Sequence, residues 1–399
     1  MWWLVNALLV AAAWGYWRWA TRRIREQQRR LREHVLQLKQ LNGELDQLAT
    51  LKDDFLAIIN HQLRTPLTPI IEGLELVRDG TLGPLTPDQR SMVQVMDENA
   101  GRLAALIEEV LDLSLLKSGR RLLDRAPGDL AAMLERVCAA WRREAGSRTL
   151  RLECPALPPV YMDGQAVEEV LQHLLRNALR HAPEGSEILV EAQASEERAV
   201  EVAVRDRGPG MTTEQLGRLF QPFVHIQDAE APGSRGSGLG LAFCRQALER
   251  HRGTIRAEVN AGGGMTFAFT LPVASTAFLF EEACRSAKED AEYDTGGFAV
   301  LLVGSPDGGV PHLDKIEALL RAHTHHGDRF VRLDGATLAV VAITAQPGLD
   351  AMVSRLRGLL AKARLDARLA TALAPMDGDT PESLLVAARR RLAALQPRS

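Results

Sequence analysis

The chain has 399 residues, of which 46% are hydrophobic and 25% charged, and its net charge is −3. This length suffices for two or three domains with their own cores. The near balance of charge excludes a polyanion-binding surface on the chain as a whole, so we expect no nucleic-acid partner. The four cysteines lie far apart, without the spacing of a zinc site, which favours a reduced, cytosolic environment.

The first residues predict a membrane anchor. Residues 1–17 are apolar except for Asn6, tryptophans lie at both ends, and seven arginines follow between Arg18 and Arg32. This pattern is typical of a transmembrane helix over residues 1–20 with the rest of the chain in the cytoplasm. We therefore expect a single-pass protein of the inner (cytoplasmic) membrane without an extracellular sensor domain. A cleaved signal peptide is the alternative, but no basic residue precedes the apolar stretch.

An apolar heptad begins within the arginine-rich segment. Leucine or isoleucine recurs every seven residues from Ile24 to Leu45, which predicts a parallel coiled coil over residues 21–50. A solvated single helix is the alternative for its first turns.

Two amphipathic helices are predicted within residues 51–118. The apolar stripe of the first consists of Leu56, Ile59, Leu63, Pro66, Ile70, Leu74 and Val77. The stripe of the second consists of Met96, Ala100, Leu103, Ile107 and Val110. Glycines end the first helix, and Thr86 to Gln89 has the spacing of a capping box at the start of the second. Two helices this thin cannot bury their stripes alone, so we expect a homodimeric four-helix bundle.

His61 lies off the apolar stripe of the first helix, and Thr65 shares its face one turn later. Pro66 should bend the helix just after the histidine. An exposed imidazole above a bend suits a nucleophile that another domain must reach. A solvated histidine without a role is the alternative for this stretch taken alone.

Residues 119–273 change to a mixed α/β pattern. Strands are predicted at residues 200–204, which run into Asp206, and over residues 254–259 and 265–271. A helix is predicted over Gln165–His181.

The polar residues 274–297 predict a linker. Residues 298–399 have the order strand, helix, strand, strand, helix, strand, helix, which predicts a ferredoxin-like domain. The fold class is therefore multidomain α+β.

Polar residues in the middle region have chemistry suited to a nucleotide. Asn177, Arg180 and His181 share one side of the predicted helix; an amide oxygen suits Mg²⁺ and an arginine suits phosphate oxygens. Asp206 ends a strand and can accept a hydrogen bond from an adenine amine. Taken singly, each of these polar residues is also common on a solvated helix or in an ordinary turn.

Two glycine clusters accompany these polar residues. Gly208 and Gly210 follow Asp206 and let the backbone approach a flat ligand. Residues 236–241, Gly-Ser-Gly-Leu-Gly-Leu, open a helix whose free N–H groups can bind phosphates.

The order of these motifs resembles the sensor histidine kinase family. His61, Asn177, Asp206 with its glycines, Phe220 with Phe223, and the glycines from Gly236 match its H, N, first glycine, F and second glycine boxes over residues 45–273. The resemblance implies a dimerisation and phosphotransfer hairpin, an ATP-binding fold of helices on a mixed sheet, and a lid near residues 220–235. It also implies a response regulator receiver domain as the cytoplasmic partner.

The resemblance assigns roles by position. His61 is the expected phosphoacceptor, with Gln62 and Thr65 beside it, and Asn177 is the expected Mg²⁺ ligand. The residues expected to bind ATP are Asn177, Arg180, His181, Asp206, Gly208, Gly210, Phe220, Gly236, Ser237, Gly238, Leu239 and Gly240. Two positions depart from the family: Gln62 replaces an acidic residue, and His173 replaces an asparagine. A working but slow kinase is therefore expected.

Two alternatives remain at this point. One is another ATPase of the same nucleotide fold, although such proteins lack a histidine-bearing hairpin before the ATP domain. The other is a scaffold or phosphatase-biased regulator in which Gln62 and His173 weaken catalysis.

The C-terminal region resembles a degenerate GGDEF (diguanylate cyclase) domain, over residues 298–395. Acidic metal ligands are missing from the expected positions, where Gly304, Ser305, Ala336 and Thr337 stand, and Asp334 alone remains. We therefore expect no cyclase activity. An unrelated ferredoxin-like domain is the alternative.

Overall fold

A computed structural model describes residues 14, 23, 63, 65–81, 83–118, 121, 123–195, 198–224, 238–294, 297–305, 310–325 and 327–395. The predicted transmembrane helix and coiled coil lie outside the described residues, apart from Trp14 and Arg23. Among the residues that are described, no helix is both long and apolar enough to span a membrane. The chain divides into two compact units, Met1–Leu123 with Met211–Ala247 and Asp124–Gly210 with Leu248–Ser399.

The first unit contains the helical hairpin. Helix α1 covers residues 65–78 and α2 covers Pro87–Ser118. The capping box is confirmed, because the Gln89 backbone N–H donates to Thr86 Oγ1 at 3.3 Å and the Thr86 backbone N–H donates to Gln89 Oε1 at 2.9 Å. This unit also contains α5 (Thr213–Arg218) and the start of α6 (Gly240–Arg250).

The predicted apolar stripes of the hairpin divide between two faces. Leu67, Ala100 and Ile107 are buried together between α1 and α2. Leu67 does not belong to the predicted stripe of the first helix, and several residues that do belong to the predicted stripes are exposed, including Ile70 at 53% and Leu103 at 48%. One stripe therefore closes the hairpin and a second stays open, which single-face spacing did not predict.

The second unit begins with a sheet of mixed direction. Its strands are β2 (Thr149–Glu153), β4 (Glu187–Ser195), β5 (Ala199–Arg205), β6 (Ile255–Val259) and β7 (Met265–Pro272), in the order β2-β4-β5-β7-β6. β2 and β4 are parallel and the other pairs are antiparallel. A short ribbon joins β1 (Ala126–Gly128) to β3 (Val160–Met162). Helices α3 (Leu130–Trp141) and α4 (Gly164–His181) each bury an apolar face.

A second sheet lies nearer the C-terminus. Its strands are β8 (Phe298–Gly304), β9 (Arg329–Arg332), β10 (Thr337–Ile343) and β11 (Arg368–Leu373), all antiparallel and in the order β11-β8-β10-β9. Helices α8 (Val310–Arg321) and α9 (Gln346–Lys362) pack on one face of it. Helices α7 (Thr276–Asp294) and α10 (Pro381–Ala394) pack on the other. We call this sheet and its helices the C-terminal domain.

The prediction of a linker over residues 274–297 was wrong. Most of this segment is helix α7, whose face of Ala283, Cys284, Ala287 and Ala291 is buried against the second sheet. Small residues between acids give a weak apolar pattern, although they recur at the spacing of one helix face.

Candidate functional site

Asp206 follows β5 and is 3% exposed. Its Oδ1 accepts hydrogen bonds from the backbone N–H of Gly208 at 2.7 Å and of Met265 at 3.2 Å. Both bonds that the described residues make to this carboxylate go to Oδ1, so Oδ2 is the oxygen that can accept from a ligand.

Burial raises the pKa of Asp206, and the two backbone N–H groups and nearby His181 act in the opposite direction. A buried acceptor whose position is fixed by backbone donors suits recognition of an amine on an apolar ring.

Glycine is required around Asp206 by close backbone contacts. A Cβ on Gly208 would lie 3.0 Å from both Asp206 Oδ1 and the His181 carbonyl oxygen. Gly264 has a φ of +91°, and a Cβ there would lie 2.1 Å from the Asp206 carbonyl oxygen. Gly210 also has a positive φ of +77°. The glycines therefore shape the loop beside the carboxylate.

Two polar residues near Asp206 were missed by the sequence analysis. Asn260 Nδ2 donates to the Asp206 carbonyl oxygen at 3.0 Å, and Thr266 Oγ1 donates to Asn260 Oδ1 at 2.5 Å. They are more than fifty residues from Asp206 in sequence. Only the pairing of β5 with β7 brings them close, so no local motif could have identified them.

Helix α4 positions the second group of predicted residues. It begins at its N-cap Asp163, whose side chain accepts from the Ala166 N–H at 3.0 Å. Near its other end, Asn177 and His181 are partly buried and Arg180 is exposed. The close contact between Gly208 and the His181 carbonyl joins this end of α4 to the Asp206 loop. The structure thus brings the predicted N box and first glycine box together.

His173 lies one turn before Asn177 on α4. Burial, with a smaller contribution from Arg176, lowers the pKa of His173 to about 4. The imidazole is therefore neutral at neutral pH and adds no positive charge beside Asn177.

The remaining predicted residues lie in the first unit. Gly238 has a φ of +70°, and its carbonyl accepts from the Phe223 N–H at 3.0 Å. Leu239 is buried against Leu113 of α2. Phe220 is partly buried. The F box and the second glycine box therefore meet through their backbones.

Two further predicted site residues are described: Thr65 is an exposed residue of α1, and Gly240 begins α6. His61, Gln62, Gly236, Ser237 and most of the predicted lid lie outside the described residues, so their roles stay predictions.

Two domain families match the chain. Residues 51–119 match the His Kinase A (phospho-acceptor) domain, and residues 162–275 match the histidine kinase-, DNA gyrase B-, and HSP90-like ATPase domain. Over these two segments the chain is therefore similar to a histidine kinase phosphoacceptor domain followed by an ATPase domain, in the order that its motifs predicted.

Characterised relatives agree with these domains. The chain is similar to the alginate biosynthesis sensor protein KinB of Pseudomonas aeruginosa, at 33% identity over 56% of this chain and 37% of KinB. It is also similar to the signal transduction histidine-protein kinase BaeS of Escherichia coli, at 32% identity over 59% of this chain and 50% of BaeS. The chain thus spans half or less of these relatives. A structure of full-length ShkA with AMPPNP aligns with a TM-score of 0.48 and 27% identity, over 56% of this chain and 46% of that one.

Proposed function

We propose that this chain is a homodimeric sensor histidine kinase that autophosphorylates on His61 from ATP. It would then transfer the phosphoryl group to an aspartate of a response regulator receiver domain. The observation that carries this proposal is the buried Asp206 carboxylate, held by the N–H groups of Gly208 and Met265, in a chain that also has a phosphoacceptor domain.

The residues around Asp206 fit a bound adenine nucleotide. The carboxylate would accept from the adenine amine, a group that guanine lacks at that position, so the site would favour ATP over GTP. Arg180 and His181 would contact phosphate oxygens. Asn177 offers an amide oxygen, a ligand type that suits Mg²⁺, which when bound would neutralise phosphate charge.

The chemistry at His61 needs positioning more than covalent assistance. A neutral imidazole is abundant at neutral pH and can attack the γ-phosphorus in line. Gln62 can orient the ring by a hydrogen bond but contributes no charge. Thr65 occupies the position that, in kinases that are also phosphatases, orients a water molecule.

Dimerisation and membrane attachment are parts of the same proposal. The open stripe of the hairpin, which includes Met92, Met96 and Leu103, supports pairing with a second copy in a four-helix bundle. The apolar residues 1–20 support a single-pass anchor in the inner membrane.

A labelling experiment tests the proposed activity. Full-length protein incubated with γ-labelled ATP and Mg²⁺ should acquire acid-labile phosphate. His61→Ala should abolish the label and leave ATP affinity near that of the wild type, because His61 and Asp206 belong to different domains. Persistent labelling of His61→Ala would overturn the assignment of the phosphoacceptor.

A regulator with little kinase activity is the second candidate function. Gln62 and His173, which replace the family's usual residues, favour it. Dephosphorylation of a phosphorylated receiver domain, without autophosphorylation, would identify it.

We also propose that the C-terminal domain is a ferredoxin-like, degenerate GGDEF-like domain with a binding or regulatory role. The strand order β11-β8-β10-β9 supports the ferredoxin-like assignment. The one acid at the predicted turn, Asp334, accepts the Ala336 N–H at 2.9 Å and so helps to form the turn itself. Fold alone does not give function, so the role is a hypothesis that binding assays must test.

A further inference from the structure

A buried carboxylate of α7 faces three arginines. The Glu282 side chain is 6% exposed, and it lies 2.6 Å from Arg285 Nη2, 3.3 Å from Arg125 Nη1 and 3.7 Å from Arg252 Nε. We call these four residues the Glu282 cluster. A carboxylate at this depth is costly unless cations surround it, so the cluster holds α7 in one position.

The three arginines have different places in the chain. Arg285 is three residues further along α7, so its ion pair stays within one helix. Arg125 precedes β1, and Arg252 follows the end of α6. Only these last two link α7 to the ATPase domain.

Aromatic contacts extend the same link. The ring of Phe278 on α7 meets the ring of Tyr161 on β3 edge to face, with centroids 5.6 Å apart. The Arg125 guanidinium lies 5.7 Å from the centre of the Tyr161 ring.

The Glu282 cluster is continuous with the start of α4. Arg125 Nη1 donates to the Arg250 carbonyl at 2.9 Å. The next residue, His251, is fully buried, and its Nε2 accepts the backbone N–H of Asp163 at 2.9 Å. Asp163 is the N-cap of α4. Residues 250–252 therefore contact both the partners of Glu282 and the first turn of the helix that carries Asn177.

The other face of α7 belongs to the C-terminal domain. Ala283, Cys284 and Ala287 are buried in the core that includes Val300 and Val341 of the second sheet. One helix thus packs into the C-terminal domain and pairs with arginines of the ATPase domain.

We propose that α7 couples the C-terminal domain to the ATPase domain, with Glu282 as the positioning residue that holds the start of α4 through Arg125, Arg252 and His251. Movement of the C-terminal domain would loosen α4 and thereby displace Asn177 at its far end. The coupling follows a chain of direct contacts rather than proximity alone. Its effect on catalysis rests on the proposed kinase function, whereas its effect on α4 does not.

Hydrogen exchange on the full-length protein tests the positioning role. Glu282→Gln keeps the side-chain size and removes the buried carboxylate that pairs with Arg125 and Arg252, whereas Arg252 keeps its 3.8 Å contact with Glu289 at the surface of α7. Amides in the first turn of α4, residues 164–168, should exchange at least about tenfold faster than in the wild type. Arg252→Gln should act in the same direction, and because Arg252 is 41% exposed it carries less risk to folding.

Two control variants separate linkage from simple helix stability. Arg285→Gln removes the shortest ion pair of Glu282, but that pair lies within α7, so α4 exchange should stay at the wild-type rate. Glu281→Gln changes an exposed neighbour on the same helix and should also have no effect. Unchanged α4 exchange in both Glu282→Gln and Arg252→Gln, or equal acceleration in Arg285→Gln, would overturn the proposal.

Kinetics provide the second readout. The KM for ATP in autophosphorylation should rise in Glu282→Gln and Arg252→Gln, and Glu282→Asp should restore it in part. A KM that stays at the wild-type value in both variants contradicts the coupling to the nucleotide site. A wild-type protein that is never labelled would instead contradict the proposed kinase function, and the exchange experiment would still test the positioning role.

Discussion

At the scale of single residues, His173 makes stability depend on pH. The unfolded chain binds a proton at this side chain with a pKa near 6.5, whereas the folded protein binds it only near 4. Between these values the unfolded state holds more protons, so stability falls as pH falls below about 6.5 and the loss is complete near 4. Above pH 6.5 His173 is neutral in both states, so it does not lower the free energy of unfolding.

His173→Asn should remove this pH dependence. At pH 5 the wild type should lose about 2 kcal/mol of unfolding free energy relative to pH 7.5 through this group, because each pKa unit is worth about 1.36 kcal/mol. Urea unfolding of both proteins at the two pH values measures the difference. An identical pH response in His173→Asn would show that another group causes the loss.

We expect the missing charge at position 62 to affect the rate rather than the fold. A carboxylate beside His61, the proposed phosphoacceptor, would stabilise the imidazolium that forms as the ring is phosphorylated, and Gln62 cannot. Gln62→Glu should therefore raise the initial autophosphorylation rate, by up to about 100-fold. Gln62→Ala serves as the control, since it removes both the amide and the hydrogen bond that we propose between it and the His61 ring. A rate that is unchanged or lower in Gln62→Glu would show that the amide itself is needed.

At the scale of elements, the hairpin has more apolar surface than one pair of helices can cover. Met92, Met96, Leu103 and Leu106 on α2 follow steps of four, seven and three residues and are all at least 37% exposed. This is the spacing of a helix–helix contact surface, and a second copy presents the same surface by symmetry.

Leu103→Glu should therefore convert the proposed dimer to a monomer. The change places a carboxylate at the centre of the open stripe, where the two-fold axis would bring like charges together. Ala105→Glu is the matched control, because Ala105 is exposed on the opposite face of α2. Light scattering coupled to gel filtration gives the mass of each variant, and a Leu103→Glu protein that stays dimeric would place the interface elsewhere.

Elements with a strong local pattern could be predicted, and those defined by tertiary contacts could not. The helix predicted over Gln165–His181 is observed as Gly164–His181, because its apolar face is wide and regular. Helix α7 was missed because, after Phe280, its buried face continues only with alanines and a cysteine. In the candidate site, Asp206 and Gly208 could be found from a motif, whereas Asn260 depends on strand pairing across the sheet.

At the scale of the whole molecule, the C-terminal domain is built as a closed unit. Helices α8 and α9 cover one face of its sheet, and α7 and α10 cover the other. Both faces of the sheet are therefore covered, so a partner could bind this domain only at its surface loops and at the outer faces of its helices. Helix α7 also contacts residues outside this domain, through the Phe278 ring against Tyr161 and the ion pair of Glu282 with Arg125.

The C-terminal domain should synthesise no cyclic di-GMP. A diguanylate cyclase must hold a triphosphate with two Mg²⁺ ions, which requires several carboxylates at the end of the first strand and at the hairpin turn. Here Gly304 ends β8, Ser305 follows it, and Asp334 is engaged by the Ala336 N–H. Full-length protein incubated with GTP and either Mg²⁺ or Mn²⁺ should give no product by mass spectrometry, with an active diguanylate cyclase as the control. Product formed by the wild type and lost in Asp334→Asn would show that this one acid suffices and that the domain is an enzyme.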